Sequence, residues 1–382
     1  MKILPDSKLP NIGTNIFTKM SSLATSCKAI NLSQGYPDFG VDEKLIKLVK
    51  KYLDLGFDQY APMQGVLKLR EAVSEKYYNL YGRYYHENDE ITITAGATQA
   101  IFTALTAFIN QGDEVLIFSP TYDCYEPAIQ LNGGKPVFIE LDSPNFKIDW
   151  QKVENKISNK TRMIIVNSPQ NPLGTILTNH DFLTLEEISE KYDLLVLSDE
   201  VYEHLVYDGK KHFSVGQYPN LFKRSIATFS FGKTFHVTGW KLGYVLAPNN
   251  LMTEIRKIHQ FNVFSCNHPF QLAIAEYLEN NETYLKLNEF YQRKRDLFLD
   301  IISASRFTAN PCNGTYFQLL NYSEISNFPD VEMAENLTTK NGVASIPISV
   351  FSAKKNDEKN LRFCFAKTDE TLKKAGEILI KI

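Results

Sequence analysis

From about residue 90 to about residue 250, short apolar runs alternate with segments of helical periodicity, and this pattern leaves few folds open. Parallel strands need a crossover between them, so the alternation predicts a mostly parallel sheet covered by helices. Most of the runs are almost continuously apolar, which indicates strands buried on both faces. The predicted strands are EVLIF (114–118), KPVFIEL (135–141), RMIIVNS (162–168), LLVLSDE (194–200), SIATFSF (225–231) and GYVLAP (243–248).

The pattern changes after about residue 280, where a long charged helix is followed by short strands and further helices. This change predicts a second, smaller α+β lobe with a cleft between the two lobes. We expect an N-terminal segment (1–40) that joins the small domain, a large domain (41–280) and a small C-terminal domain (281–382).

Composition narrows the functional classes. The chain has 382 residues, 43% of them hydrophobic, and a net charge of only −3, so it can bury a full core and carries no strongly basic surface for nucleic acid. Its five cysteines show no zinc spacing, and its first residues, MKILPDSKLP, lack the apolar run of a signal peptide. No apolar stretch approaches the roughly 18 residues that span a membrane. We expect a cytoplasmic protein with small-molecule partners, and neither nucleic acid, membrane nor metal.

The segment TFSFGKTFHVTGWKLGY (228–244) carries Ser230, Lys233 and Lys241 directly after a predicted strand. A buried lysine among small and hydroxyl residues loses its proton readily and can condense with an aldehyde. Taken alone, a lysine in such a loop is more often a solvated surface residue. Its neighbours in the fold therefore decide the interpretation.

Asp199 follows the apolar run LLVLS, at the carboxyl end of a predicted strand. Ligands of open α/β sheets bind at this edge, where a carboxylate can hold a protonated pyridine nitrogen. Asp199 could equally be a helix cap or a magnesium ligand in a nucleotide site. However, the chain has no G-x-x-x-x-G-K-[ST] loop to hold the phosphates of a nucleotide.

Two further loops follow strands at the same edge. NSPQNPLGT (167–175) places Asn171 in a rigid turn, and ITITAGATQAIF places Gly96, Ala97 and Thr98 between a strand and a helix. Free N–H groups at a helix start bind anions. Each loop alone is weak support, but together the four loops predict one site.

These motifs, in this order, resemble the fold-type-I aminotransferases of class I/II. Within that family the chain is similar to the bacterial methionine and mammalian kynurenine/glutamine aminotransferase group. The resemblance covers about residues 31–367 and rests on NLSQGYPDFG, QYAPMQGVLKLREAV, DCYEPAI, NSPQNPLGT, SDEVYEHL, SFGKTFHVTGWKLGY, GTYF and LRFCFAK. It implies a large domain with a mostly parallel seven-stranded sheet, a smaller α+β domain, pyridoxal 5′-phosphate as cofactor, and a homodimer.

The resemblance also implies roles for individual residues. Lys233 forms the Schiff base with the cofactor and later moves the proton, Asp199 pairs with the pyridine nitrogen, and Tyr202 assists catalysis at the ring's phenolic oxygen. The remaining implied cofactor contacts are Gly96, Ala97, Thr98, Tyr122, Asn171, Ser230, Lys241 and, from the neighbouring subunit, Tyr60. The implied substrate contacts are Gly35, Asn171 and Arg362, whose planar fork suits an α-carboxylate.

The implied reaction moves an amino group from an L-amino acid with an uncharged side chain, such as methionine, glutamine or an aromatic amino acid, to a 2-oxo acid. Kynurenine-type members carry a histidine where Ser265 follows Phe264 here, which disfavours kynurenine as the substrate. Two alternatives remain open at this point. One is a pyridoxal-phosphate-dependent carbon–sulfur β-lyase acting on cysteine conjugates, and the other is a non-catalytic regulatory protein of the same fold.

Overall fold

The computed structural model describes residues 6–382 and is built around a seven-stranded sheet. The strands are β1 (Ile30–Asn31), β2 (Ile91–Thr94), β3 (Glu114–Ser119), β4 (Lys135–Glu140), β5 (Thr161–Asn167), β6 (Leu195–Asp199), β7 (Ser225–Ser230), β8 (Gly243–Leu246), β9 (Phe317–Asn321), β10 (Val343–Ala344), β11 (Ile346–Pro347) and β12 (Asn360–Cys364). In the large sheet their order is β2-β8-β7-β6-β5-β3-β4, and only β8 runs antiparallel to its neighbours. The prediction of a mostly parallel sheet is confirmed.

Helices cover this sheet and fill the rest of the chain. They are α1 (Ile16–Ser26), α2 (Glu43–Asp54), α3 (Leu67–Tyr81), α4 (Ala97–Phe108), α5 (Tyr125–Leu131), α6 (Trp150–Glu154), α7 (Asn179–Lys191), α8 (Pro219–Phe222), α9 (Phe231–Thr234), α10 (Asn249–Asn262), α11 (His268–Leu278), α12 (Glu282–Leu285), α13 (Leu287–Ile302), α14 (Asp330–Asn336) and α15 (Asp369–Leu379). Helix α7 begins where it does because Thr178 and Asp181 form a reciprocal capping box. Short 3₁₀ helices span Val215–Gln217, Thr238–Trp240 and Ser349–Phe351, and a π-helical turn spans Leu337–Asn341.

The C-terminal part of the chain forms a separate antiparallel sheet in the order β11-β12-β9. The register of this sheet places Arg362 opposite Leu319 and Ile346, in the middle of the sheet. The N-terminal strand β1 pairs in parallel with β10, so residues from both ends of the chain share this region.

Large apolar clusters pack on the two faces of the seven-stranded sheet, because successive side chains along a strand point to opposite faces. On β6, for example, Val196 belongs to one cluster and Leu197 to the other. This burial fixes the strands rigidly and leaves their carboxyl ends to carry the polar residues. Among residues 6–382, no helix is both long and apolar enough to cross a membrane.

Candidate active site

The polar loops predicted from the sequence meet at the carboxyl edge of the large sheet. Parallel pairing sets Asn167 of β5 opposite Asp199 of β6, and Asp199 opposite Thr228 of β7. A cavity of about 150 Å³ opens at this edge. The predicted residues that line it are Gly96, Ala97, Thr98, Tyr122, Asn171, Asp199, Tyr202, Ser230, Lys233 and Lys241. A larger cavity of about 470 Å³ shares Asn167 with it, but none of the predicted residues lines that cavity.

Lys233 lies in the short helix α9, directly after β7. Its Nζ lies 2.9 Å from the hydroxyl of Tyr316 and 3.4 Å from the carbonyl oxygen of Gly35. Burial lowers the pKa of Lys233 to about 8, because the ammonium form loses its water shell. The side chain is therefore not the solvated surface lysine that the loop alone would favour.

Asp199 ends β6 and is only 3% exposed. Its carboxylate accepts a hydrogen bond of 2.6 Å from the Tyr125 hydroxyl and one of 3.3 Å from the Val201 N–H. Burial raises the pKa of Asp199 to about 6, while these two donors act in the opposite direction. A buried carboxylate of this kind is stabilised further by any cation that enters the cavity.

One end of the cavity is built to hold an anion. Gly96 has φ 80°, a left-handed value that favours glycine, and it lets α4 begin at Ala97. The first N–H groups of α4 have no acceptors within the helix and carry the positive end of its dipole. A Cβ atom built on Gly96 would lie 3.4 Å from the Lys241 Nζ, so the ammonium group sits beside this helix start.

Arg362 is 1% exposed, which excludes the reading of a strand residue with a surface charge. Its Nη1 donates to the Asn171 Oδ1 at 2.6 Å, and its Nη2 donates to the Ser33 carbonyl oxygen at 3.1 Å. The guanidinium stacks 3.8 Å from the centre of the Phe317 ring. Its Nε has no hydrogen-bond partner among the described residues. Burial lowers the pKa of Arg362 to about 10, so the group stays charged at neutral pH.

Tyr202 and Tyr60 differ sharply in their surroundings. Tyr202 is 3% exposed, lines the cavity and packs edge-on against Tyr316, and burial raises its pKa. Tyr60 is 83% exposed and packs against Phe264, outside the cavity of its own chain. Its contribution across a subunit interface stays a prediction.

Two residues of the site, Tyr125 and Asn167, are not among those predicted from the sequence, and the contact of a third, Tyr316, with Lys233 was not predicted either. Tyr125 bonds to Asp199, Asn167 lines the cavity and donates to the Asp199 carbonyl oxygen, and Tyr316 contacts Lys233. Asn167 could have been found, because it ends its strand as Asp199 does. Tyr125 and Tyr316 lie in the motifs DCYEPAI and GTYF, but neither motif indicates which residue its tyrosine contacts.

The family model for aminotransferase class I and II matches residues 28–379. The chain belongs to this family and is an aminotransferase, with the fold-type-I architecture that its sequence motifs predicted.

Among individual relatives, the chain is 46% identical to the methionine aminotransferase of Escherichia coli over 378 residues, covering 99% of this chain and 98% of that protein. It is 33% identical to human kynurenine–oxoglutarate transaminase 3, covering 99% of this chain and 90% of that protein. A solved E. coli structure described as a methionine aminotransferase superposes with a TM-score of 0.98 at 46% identity over all of both chains. The structure of the N-succinyldiaminopimelate aminotransferase of Mycobacterium tuberculosis superposes with a TM-score of 0.95 at 31% identity, covering 99% of this chain and 100% of that chain.

Proposed function

We propose that this aminotransferase transfers the amino group of methionine, or of another L-amino acid with an uncharged side chain, to a 2-oxo acid. The observation that carries the proposal is one cavity that holds both a half-buried lysine amine with a lowered pKa, Lys233, and a buried carboxylate, Asp199. The likeness to a methionine aminotransferase supports the choice of donor. Arg362, which is buried and bonded to Asn171, adds a group that can bind the α-carboxylate of the amino acid.

Pyridoxal 5′-phosphate, the cofactor of this family, fits the residues that line the cavity. Asp199 would hold the pyridinium nitrogen, and Tyr202 and Asn171 would face the ring's phenolic oxygen. The first turn of α4, with Ser230 and Lys241, would hold the phosphate, and the Tyr122 ring would cover one face of the pyridine. When bound, the cofactor supplies an aldehyde carbon that takes up the amino group and a ring that accepts the electron pair left by the α-proton.

The substrate's α-carboxylate would bind at Arg362. Its Nε lacks a partner inside the protein, and leaving a buried polar donor unpaired is costly. Asn171, already bonded to Arg362 at 2.6 Å, and the Gly35 backbone would complete the site. This arrangement would hold the amino acid by its α-carboxylate, the group that all amino-acid substrates share.

Lys233 is the residue that would accept the α-proton of the bound amino acid. Its pKa of about 8 leaves an appreciable neutral fraction at neutral pH, and only the neutral amine has a lone pair to accept the α-proton. Lys233 would then give the proton back at the carbon that carried the aldehyde oxygen. Asp199, in its ionised form, would keep the ring nitrogen protonated.

We also propose that the enzyme is a homodimer in which Tyr60 of each subunit reaches the phosphate in the other. Tyr60 packs against Phe264 although both are exposed, and Phe261, three residues before Phe264 in the chain, is 87% exposed. Burying exposed apolar side chains of this kind is favourable. Mixing Lys233→Ala and Tyr60→Ala subunits tests this. A mixed dimer contains one intact site, so activity should return on mixing two nearly inactive proteins. If mixed dimers form and stay inactive, Tyr60 does not act across the interface.

The division into an N-terminal segment (1–40), a large domain (41–280) and a small domain (281–382) is part of the same proposal. Pairing of β1 with β10 supports it, because the first segment then packs with the last. We propose a cytoplasmic location as well, in keeping with five cysteines that are all free.

The experiment that tests the substrate class is a panel of amino acids mixed with the cofactor-loaded enzyme without any oxo acid. Absorbance then reports conversion of the cofactor to its amino form. Methionine, glutamine and aromatic amino acids should convert it, whereas aspartate should do so poorly. Faster conversion by aspartate than by methionine would overturn the proposal. Release of pyruvate and ammonia from a cysteine conjugate would instead indicate a β-lyase.

A further inference from the structure

Tyr316 forms a direct contact with the catalytic lysine that none of the proposed roles uses. Its hydroxyl lies 2.9 Å from the Lys233 Nζ and donates a hydrogen bond of 2.5 Å to the Gly35 carbonyl oxygen. The Lys233 Nζ lies 3.4 Å from the same carbonyl oxygen. The amine, the hydroxyl and the carbonyl therefore form a closed triangle of hydrogen-bonding groups.

The directions of these bonds follow from the groups themselves. A carbonyl oxygen only accepts, so the Tyr316 hydroxyl uses its single hydrogen on Gly35. The Tyr316 oxygen then has lone pairs left and can only accept from Lys233. A neutral amine has two N–H bonds and one lone pair, and the two oxygens occupy both N–H bonds. The lone pair is left over, and it points away from Tyr316 and Gly35.

We propose that the Tyr316 hydroxyl and the Gly35 carbonyl form a cradle that orients the free Lys233 amine so that its lone pair faces the substrate's α-carbon. This inference rests on the proposed role of Lys233 in proton transfer. In that step the Cα–H bond breaks, a new N–H bond forms on Lys233, and the electron pair stays with the substrate and cofactor. Tyr316 is a positioning residue, since it acts through the lysine.

The packing around Tyr316 holds the cradle rigidly. The side chain is fully buried, and its ring contacts those of Tyr202 and Tyr291 at centroid distances of 5.1 and 5.8 Å. A Cβ atom at Gly35 would lie 2.6 Å from the Phe317 ring and 3.2 Å from the Tyr316 ring, so a larger residue would push the cradle open. Through Gly35 and Tyr316, the cradle also joins the N-terminal segment to the residue that directly precedes β9.

The test is the variant Tyr316→Phe, which keeps the ring and removes only the oxygen. Proton removal is followed with ordinary methionine and with methionine deuterated at the α-carbon. We expect the rate of this step to be lower in the variant than in the wild type by about tenfold or more, since positioned proton transfer contributes large rate factors. The isotope effect on kcat should rise, because proton transfer becomes more strongly rate-limiting. KM should change little.

A second readout uses the protein without cofactor. The ammonium form of Lys233 loses a charge-assisted hydrogen bond in Tyr316→Phe, so its pKa should fall. The pH dependence of Lys233 acetylation by acetic anhydride, followed by mass spectrometry of its peptide, measures this pKa directly. A role for Tyr316 in packing alone would not move it.

Tyr291→Phe is the matched control, because the Tyr291 hydroxyl is buried, lies next to Tyr316 and has no hydrogen-bond partner among the described residues. It should leave both readouts at wild-type values. If Tyr316→Phe behaves like wild type, or if both variants lose activity equally, the cradle is wrong. The proposed function fails separately, namely if Lys233→Ala still transaminates.

Discussion

The hydroxyl of Tyr125 donates a hydrogen bond of 2.6 Å to the Asp199 carboxylate, joining α5 to the end of β6. Both groups are buried, and burial raises the pKa of the Asp199 carboxyl to about 6. Because a hydrogen bond donated to the ionised form favours that form, Tyr125 limits this rise. Tyr125 thereby helps to keep the carboxylate charged at neutral pH, which is the state that its proposed partner needs.

Replacing Tyr125 with phenylalanine should therefore weaken catalysis without destroying the fold. A hydrogen bond to a charged group is worth about 1.5–3 kcal/mol, so we expect kcat/KM to fall roughly tenfold or more. The acid limb of the pH–rate profile should move to higher pH, since the pKa of Asp199 rises. Asp199→Asn, which removes the charge, should lose more activity. An unchanged acid limb in Tyr125→Phe would argue against the role of Tyr125.

The pH dependence of cofactor capture follows from Lys233. Only the neutral amine attacks an aldehyde, and the pKa of about 8 sets where the amine becomes neutral. The capture rate of cofactor-free protein should rise about tenfold per pH unit below pH 8 and level off above it. Stopped-flow absorbance measures this rate. A rate that keeps rising to pH 10, as an ordinary lysine would give, contradicts a buried amine.

Arg362→Lys should impair binding of the amino acid. Lysine keeps the positive charge but loses the planar fork and the stacking on Phe317. Loss of a charged hydrogen bond worth about 1.5–3 kcal/mol predicts a KM for methionine roughly 10–100 times higher. A neutral amine without a carboxylate, tested as a poor substrate, should be affected much less. Equal losses for both compounds would show that Arg362 does not bind the carboxylate.

A buried ion pair that does not line the cavity should matter for stability rather than chemistry. The Lys76 Nζ lies 2.5 Å from the Glu203 Oε1, and the two side chains are 4% and 3% exposed. Although burial opposes ionisation, Lys76 lowers the pKa of Glu203 below its usual range. Lys76→Met would leave a buried carboxylate uncompensated and should lower the free energy of unfolding by about 3–5 kcal/mol.

Urea denaturation measures that loss, and Glu203→Gln in the same background is the matched control. The double variant removes the uncompensated charge and should recover part of the stability. If Lys76→Met is as stable as the wild type, or if the second change gives no recovery, the pair does not stabilise the fold as described.

The sequence predicted the strands of the large sheet well because they are long apolar runs buried on both faces. All six predicted runs from residue 114 to residue 248 overlap observed strands. Strands β10 and β11 have only two residues each, too few to carry a period of their own. These short strands are fixed by pairing, β10 with the distant N-terminal strand β1 and β11 with β12.

The site was predictable where function lies in loops that follow strands, as at Asp199 and Asn171. It was not predictable where the contact depends on packing between distant elements. Tyr125 and Asp199 are separated by 74 residues, and Tyr316 and Lys233 by 83. No local pattern in a sequence encodes such contacts, because they arise only when elements far apart in the chain pack together.

The most direct test of the central claim is to reduce the cofactor-loaded enzyme with borohydride and to locate the modified lysine by peptide mass spectrometry. Reduction makes the bond between the lysine and the cofactor permanent, so the label marks the residue that held the aldehyde. We predict a single modified site at Lys233. A label at Lys241 or any other lysine, or no label at all on an enzyme that transaminates, would contradict the account.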